Sequence, residues 1–131
     1  MKRLPDFVRY QLPALAWMIL IFVLSSVPGS TLSHFEFPLA HEIAHIVLYA
    51  SLYFLAYLAL RHQNRISFLS TYRITGAFII VAVYGASDEF HQSFTPGRSP
   101  EFKDFLIDVA AAAVILLFVS IAERNAVRQE R

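Results

Sequence analysis

The run FLIDVAAAAVILLFVSIA, residues 105–122, contains a single ionisable side chain, Asp108. A helix of about 20 apolar residues crosses the hydrocarbon core of a bilayer, so this run has the length and composition of a membrane-spanning helix. Three apolar stretches of comparable length precede it, at 11–27, 42–60 and 74–90. Because only 16% of the chain is charged, a soluble fold would lack the polar residues needed to cover four such helices.

We therefore predict an all-α membrane protein, built as a compact bundle of four transmembrane helices. Residues 1–131 amount to a single domain. Flanking residues complete the shorter stretches, which gives helices at about 7–27, 40–61, 73–92 and 103–123. The absence of cysteine excludes disulfides and thiolate zinc sites, and the net charge of +1 gives no indication of nucleic-acid binding.

Basic residues indicate the orientation of the bundle. Segments 1–10, 61–73 and 123–131 together hold nine lysines and arginines, whereas segments 28–40 and 91–104 together hold two. Basic residues collect in the cytoplasmic segments of membrane proteins. We therefore predict that both termini are cytoplasmic and that the two segments poor in basic residues face outward.

Polar side chains on three of the helices fall at one predicted depth. Counted from the cytoplasmic helix ends, the ionisable groups that lie about 21–24 Å up the core are His45, Asp88, Glu89 and Asp108. Spacings of three or four residues add further side chains to the same helix faces, namely His41, Tyr49, Gln92 and Asp104. Ionisable groups at membrane depth are costly and usually functional, so we predict a polar pocket open to the outside. The alternative is a network that is wetted at the interface or that only holds the helices together.

The predicted outer loop between the last two helices contains Phe94-Thr95-Pro96-Gly97-Arg98-Ser99. Proline followed by glycine favours a type II turn, and this turn would direct Arg98 back towards the polar cluster. An arginine there can form a bidentate pair with a carboxylate or a phosphate. The alternative is a solvated arginine on a polar loop.

The run YGASDEFHQSFTPGR, residues 84–98, followed by Asp104 and Asp108, resembles the VanZ-like family of small bacterial membrane proteins, named for a component linked to teicoplanin resistance. The family pattern is E-x-x-Q-x-F-x-P-G-R, then Asp, then Asn or Asp four residues later. The resemblance extends over nearly the whole chain, through Ser25, Ser26, His45 and Tyr49. It implies four helices, a bacterial inner (cytoplasmic) membrane and an envelope-related role. This chain departs from the family by having His41-Glu42 for the usual Asp-Lys, and Ala111 for a common glycine.

Residues 41–45, HEIAH, fit the zinc-protease pattern H-E-x-x-H. His41 and His45 would bind the metal, Asp88, Glu89 or Asp108 would supply a third ligand, and Glu42 would be the general base. Against this hypothesis, only His45 belongs to the pattern of the resembling family. The motif also lies in the first turn of its helix, where the positive dipole end disfavours a cation. We therefore predict no metal or other cofactor, with a zinc-dependent membrane hydrolase as the alternative.

Together these residues predict a site that binds or acts on an envelope lipid or a lipid-linked wall precursor. Glu89 and His45 are the candidate catalytic residues, because an acid beside a histidine can divide acid and base work, but the sequence leaves open whether any reaction is catalysed. The candidate ligand-binding residues are Arg98, Gln92, Asp88, Asp104, Asp108 and Tyr49. Six acids against two bases at the outer end disfavour phosphate capture by net charge. The alternative is a structural protein that binds a membrane partner or a second copy of itself.

Overall fold

The computed structural model describes residues 5–32 and 39–129, and these form helices and no strand. A π-helical turn, Phe7–Gln11, leads directly into α1. The α-helices are α1 (Leu12–Ser25), α2 (Gly29–Leu32), α3 (Ala40–Arg61), α4 (Ser67–Thr71), α5 (Arg73–Gln92) and α6 (Phe102–Gln129). The all-α class predicted from the sequence is confirmed. The last helix runs six residues further than predicted, since the polar segment after Glu123 continues the helix.

Within the described residues, three helical segments are long and apolar enough to cross a membrane, judged by length and composition: Phe7–Ser25, Ala40–Arg61 and Phe102–Gln129. Helix α5, the predicted third span, has 20 residues but is not among them. Its last five residues include Asp88, Glu89, His91 and Gln92. Large apolar side chains such as Ile19, Val83 and Phe118 are more than half exposed, which suits a surface that contacts lipid.

Helices α3, α5 and α6 pack against one another and form the core. Its fully buried side chains include Leu52 and Tyr53 of α3, Val81 of α5 and Ala112 of α6. Helix α1 lies against α3 and α5, and side chains fasten it there. Trp17 Nε1 donates to the Leu48 carbonyl at 2.9 Å, and Tyr84 Oη donates to the Met18 carbonyl at 2.5 Å.

Gly85 lets α5 approach α3 and α6 closely. A Cβ atom at this position would lie 3.2 Å from Oδ2 of Asp108 and 3.5 Å from Cε1 of Tyr49. On the facing helix, Ala111 and Ala112 are buried, as expected where small residues bring membrane helices together. The close approach puts the polar end of α5 beside polar side chains of the other two helices.

A second group of polar residues, which we call the arginine clasp, lies at the opposite end of the same three helices. It consists of Tyr57, Arg61, Arg73 and Glu123. Arg73 binds Glu123 with two parallel hydrogen bonds, Nε to Oε1 at 2.8 Å and Nη2 to Oε2 at 2.7 Å. Tyr57 Oη donates to Oε1 at 2.5 Å, and Arg61 Nη1 donates to Tyr57 Oη at 2.7 Å. Both oxygens of the carboxylate are therefore matched by charged or strong donors.

Candidate functional site

Helices α3, α5 and α6 bring their polar residues together at the end opposite to the arginine clasp. We call this group the acidic cluster; it consists of His41, His45, Tyr49, Asp88, Glu89, Gln92, Asp104 and Asp108. All of its members except His41 are buried, with relative exposures between 0% and 8%. The cluster contains every site residue predicted from the sequence except Arg98.

Two histidine–aspartate pairs join α3 to α6. His41 Nε2 lies 2.7 Å from Oδ2 of Asp104, and His45 Nδ1 lies 2.8 Å from Oδ1 of Asp108. The pairs form because both helices repeat their polar residues every four positions, so the faces match across the interface. When His45 donates from Nδ1, its neutral ring keeps Nε2 as an acceptor or a metal ligand.

The acids of α5 are held by their own helix and by the start of α6. Gln92 Nε2 donates to Oδ2 of Asp88 at 3.2 Å and to Oε1 of Glu89 at 3.5 Å. The backbone amide of Glu101 donates to Oε2 of Glu89 at 2.8 Å. Tyr49 lies one turn below His45, with its ring stacked at 5.9 Å between centroids. These contacts fix the carboxylates but bring no positive charge to them.

Three buried polar atoms of the acidic cluster have no hydrogen-bond partner: Tyr49 Oη, Asp104 Oδ1 and Asp108 Oδ2. Among residues 5–32 and 39–129, no lysine or arginine forms an ion pair with the four buried carboxylates. Buried polar groups in proteins are nearly always paired, and a buried charge that is left without a partner costs about 3–5 kcal/mol. Buried polar atoms without a partner require an explanation, and a catalytic role or a bound ion or water is among those that proteins provide.

Arg98 does not join the acidic cluster, contrary to the orientation predicted from the sequence. The predicted turn is present: the Arg98 amide donates to the Thr95 carbonyl at 3.1 Å, and Gly97 has φ of 73°. However, the guanidinium donates to the Val27 carbonyl at 3.3 Å and to the Leu24 carbonyl at 3.5 Å. The reason is that the turn docks on the segment after α1, whose last carbonyls lack helical partners.

Gly29 makes this docking possible. Its amide donates to the Pro96 carbonyl at 3.1 Å, and a Cβ atom on Gly29 would lie 2.0 Å from the carbonyl oxygen of Gly97. Nearby, Ser26 Oγ lies 2.9 Å from Nε2 of His91, a pairing that the sequence did not reveal. The end of α1 is thus fixed to α5 and to the turn that follows it.

The members of the cluster other than His41 are buried, whereas the sequence predicted a pocket open to the outside. His41 is its accessible member, since 45% of its side chain is exposed. On the same turn of α3, Glu42 Oε1 binds Lys103 Nζ at 2.5 Å. The proposed general base of the H-E-x-x-H hypothesis is therefore engaged elsewhere.

Within the described residues, two groups of side chains are close enough to bind a metal ion, and they share His45. One is His41, His45 and Asp104, and the other is His45, Glu89 and Asp108. In each group, one ligand atom per residue lies within 4.8 Å of the others. The second group is buried throughout, whereas the first includes the exposed His41.

Comparison with known proteins gives one match. The model of the VanZ/LLP1 family matches residues 10–123, a range that includes the whole acidic cluster, Arg98 and Glu123. The resemblance inferred from the sequence is thereby confirmed. No curated protein and no solved structure matches the chain.

Proposed function

The chain belongs to the VanZ/LLP1 family, and we propose that it crosses a bacterial inner membrane four times and binds or modifies an envelope lipid or a lipid-linked wall component at the acidic cluster. In this proposal α5, the third span in chain order, crosses the membrane in addition to the three helical segments identified by length and composition. Both termini are cytoplasmic, in keeping with the nine basic residues in segments 1–10, 61–73 and 123–131. The arginine clasp then lies at the cytoplasmic end and the acidic cluster at the outer end.

The observation that carries the proposal is the set of buried acceptors without partners at one end of the bundle. Asp104 Oδ1 and Asp108 Oδ2 can accept hydrogen bonds, and Tyr49 Oη can donate or accept. The ligand that satisfies them must bring donors, such as sugar hydroxyls or a protonated amine. A phosphate fits poorly, because Arg98 contacts backbone carbonyls and no other arginine of the described residues pairs with the cluster.

An apolar groove between α1 and α5 suits the chain of such a lipid. It has a volume of about 410 Å³ and is lined by Met18, Ile79, Ile80, Val83, Tyr84 and Ser87. Ser87 precedes Asp88 of the acidic cluster. A lipid with its hydrocarbon tail along the groove would therefore carry its headgroup towards the level of the cluster.

His45 and Asp108 also form the arrangement that acid–base catalysis uses. Asp108 holds Nδ1 of His45, so Nε2 is the nitrogen that would take a proton from a hydroxyl of the ligand. Glu89, within 4.8 Å of both, is the second proton-transfer group. The modification of a headgroup is accordingly our second candidate function.

The first test is native mass spectrometry of the protein extracted with its surrounding lipids. We expect a defined lipid species with wild type and its loss in Asp104→Asn. The matched control is Glu101→Gln, an acid-to-amide change at the same end on an exposed side chain. New products after incubation with total envelope lipid would show catalysis, whereas a retained, unchanged lipid would show binding alone.

The second test uses a phenotype. The family resemblance links the role to teicoplanin resistance, so we would compare teicoplanin susceptibility of cells that express wild type, Glu89→Gln or Glu101→Gln. Loss with Glu89→Gln at equal membrane levels supports a functional site. If Glu89→Gln behaves as wild type and no lipid is retained, the cluster serves only to hold the helices in register.

A further inference from the structure

Among the residues that the structure describes, no lysine or arginine pairs with the acidic cluster. Its four carboxylates, on Asp88, Glu89, Asp104 and Asp108, are at most 8% exposed. The donors that reach Glu89 are an amide side chain and a backbone amide, and both are neutral. In a low-dielectric interior, four carboxylates this close cannot all be charged without compensation. Either protons or a cation must therefore balance them.

We propose that His45, Glu89 and Asp108 bind a divalent first-row transition-metal ion of the Zn²⁺ or Mn²⁺ class. One ligand atom from each of these residues lies within 4.8 Å of the other two, and all three residues are buried. Asp108 is 0% exposed, and its Oδ2 has no partner. Shifts of about an ångström bring such atoms to the roughly 2.0–2.2 Å at which imidazole nitrogen and carboxylate oxygen bind zinc.

The ligand chemistry selects the class of ion. One imidazole nitrogen with two carboxylate oxygens is a mixed set that suits zinc or manganese, whereas calcium and magnesium prefer oxygen ligands alone. Two carboxylates also neutralise a divalent ion, so binding balances the charges of Glu89 and Asp108, two of the four buried acids.

This ligand set differs from the one that the H-E-x-x-H string suggests. His41 is already bound to Oδ2 of Asp104, and 45% of its side chain is exposed. It lies in the first turn of α3, where the helix dipole disfavours a cation. His45 is one turn deeper, and Gly85 leaves space for the close approach of α5 to Asp108. The motif therefore contributes its second histidine, and the two carboxylates come from α5 and α6.

The experiment is a zinc titration of the full chain, purified in detergent and freed of metal with a chelator. Binding is measured by competition with a chromophoric chelator, with Mn²⁺ as a second probe. We expect an ion per chain, and a weakening of about ten- to a hundredfold or more in Glu89→Gln and in Asp108→Asn. His41→Gln and Glu101→Gln should stay close to wild type. The measurement needs no lipid, so a failure to bind metal can be told apart from a failure of the function proposed above.

Three results would overturn the proposal. Absence of stoichiometric binding would mean that protons balance the acids. Equal weakening by His41→Gln would move the ion to the group of His41, His45 and Asp104, and unchanged affinity in all variants would place it outside the cluster. If the variants fail to accumulate, X-ray absorption at the zinc edge of wild type decides: we expect one imidazole ligand, and two would contradict the site.

Discussion

The acidic cluster and the arginine clasp lie at opposite ends of the same three helices, and their carboxylates are paired in opposite ways. Asp108 and Glu123 are 15 residues apart on α6, about 22 Å along the helix axis. Glu123 receives two bonds from Arg73 and one from Tyr57. Asp108, although fully buried, receives one bond from a histidine and leaves Oδ2 unpaired.

This difference separates a stabilising contact from a site. At the arginine clasp, Arg73 bonds both carboxylate oxygens of Glu123, and Arg61 lies 3.8 Å from the same carboxylate. At the end of the acidic cluster, Arg98 contacts the Leu24 and Val27 carbonyls instead of an acid. A cluster whose purpose was only to hold helices together would be expected to look like the clasp, because half-satisfied polar networks are less stable than apolar packing.

The largest effect on stability is expected at the clasp. Arg73→Ala leaves the Glu123 carboxylate without its bidentate partner, and we expect a loss of about 3 kcal/mol in the free energy of unfolding. Unfolding in detergent micelles, followed by tryptophan fluorescence, measures it. Arg65→Ala, an exposed arginine in the segment before α4, is the control. Equal effects of the two substitutions would mean that the clasp contributes nothing specific.

The two histidines of the cluster should differ. His45→Ala leaves both oxygens of buried Asp108 unpaired and opens a cavity, so we expect a loss of about 2 kcal/mol together with loss of function. His41→Ala changes a side chain that is 45% exposed, and water can replace it at Asp104, so the loss should be below about 1 kcal/mol. The same unfolding assay compares them. Equal and severe losses from both, with bound zinc, would restore the H-E-x-x-H hypothesis.

Two glycines of α5 allow a matched test of the close approach at the cluster. Gly85→Ala puts a methyl group 3.2 Å from Oδ2 of Asp108, whose side chain is short and held by His45, so we expect a loss of about 1 kcal/mol and weaker metal binding. Gly76→Ala meets only Cδ1 of Leu60, at 3.0 Å. That flexible group can move, and the gain in helix propensity, up to about 1 kcal/mol, should then dominate.

In both variants, thermal unfolding and zinc affinity are measured side by side. A Gly85→Ala protein that binds zinc as wild type does would show that the exact position of Asp108 is unimportant. Such a result would favour the alternative in which the acidic cluster is a polar network at the membrane interface and not a site with fixed geometry.

The sequence predicted the features that depend on a single helix. The apolar run at 105–122 predicts a membrane-spanning helix from its length alone. The four-residue spacing of Asp104 and Asp108 places both side chains on one face of that helix. The sequence also predicted that the acids of different helices lie at a common depth, because the distance of each acid from the end of its own helix follows from the number of residues between them. Membership of the family was recognised from residues 84–98 and confirmed.

What the sequence did not predict depends on contacts between helices. The direction of Arg98 is set by the docking of its turn against Gly29, a contact between segments almost 70 residues apart. The clasp is not predicted by the sequence, because the pairing of Arg73 with Glu123 joins two helices and no spacing within either helix indicates it. Which histidine faces which aspartate depends on the register between α3 and α6, and no spacing within one helix fixes that.

The smallest effect on stability is expected where the residue is most deeply buried. In metal-free protein, Asp108→Asn removes a charge that no arginine of the described residues balances, while the amide oxygen still accepts from Nδ1 of His45. The free energy of unfolding should change by less than about 1 kcal/mol, and an increase is consistent with the argument. Glu123→Gln, the same chemical change on the same helix, should cost about 2 kcal/mol, because it weakens a bidentate pair with Arg73. Chemical unfolding of both variants in the presence of a chelator gives the two values. If Asp108→Asn is the more damaging of the two, the acid at the cluster is already compensated in the unliganded protein, and the distinction between the two ends of the bundle fails.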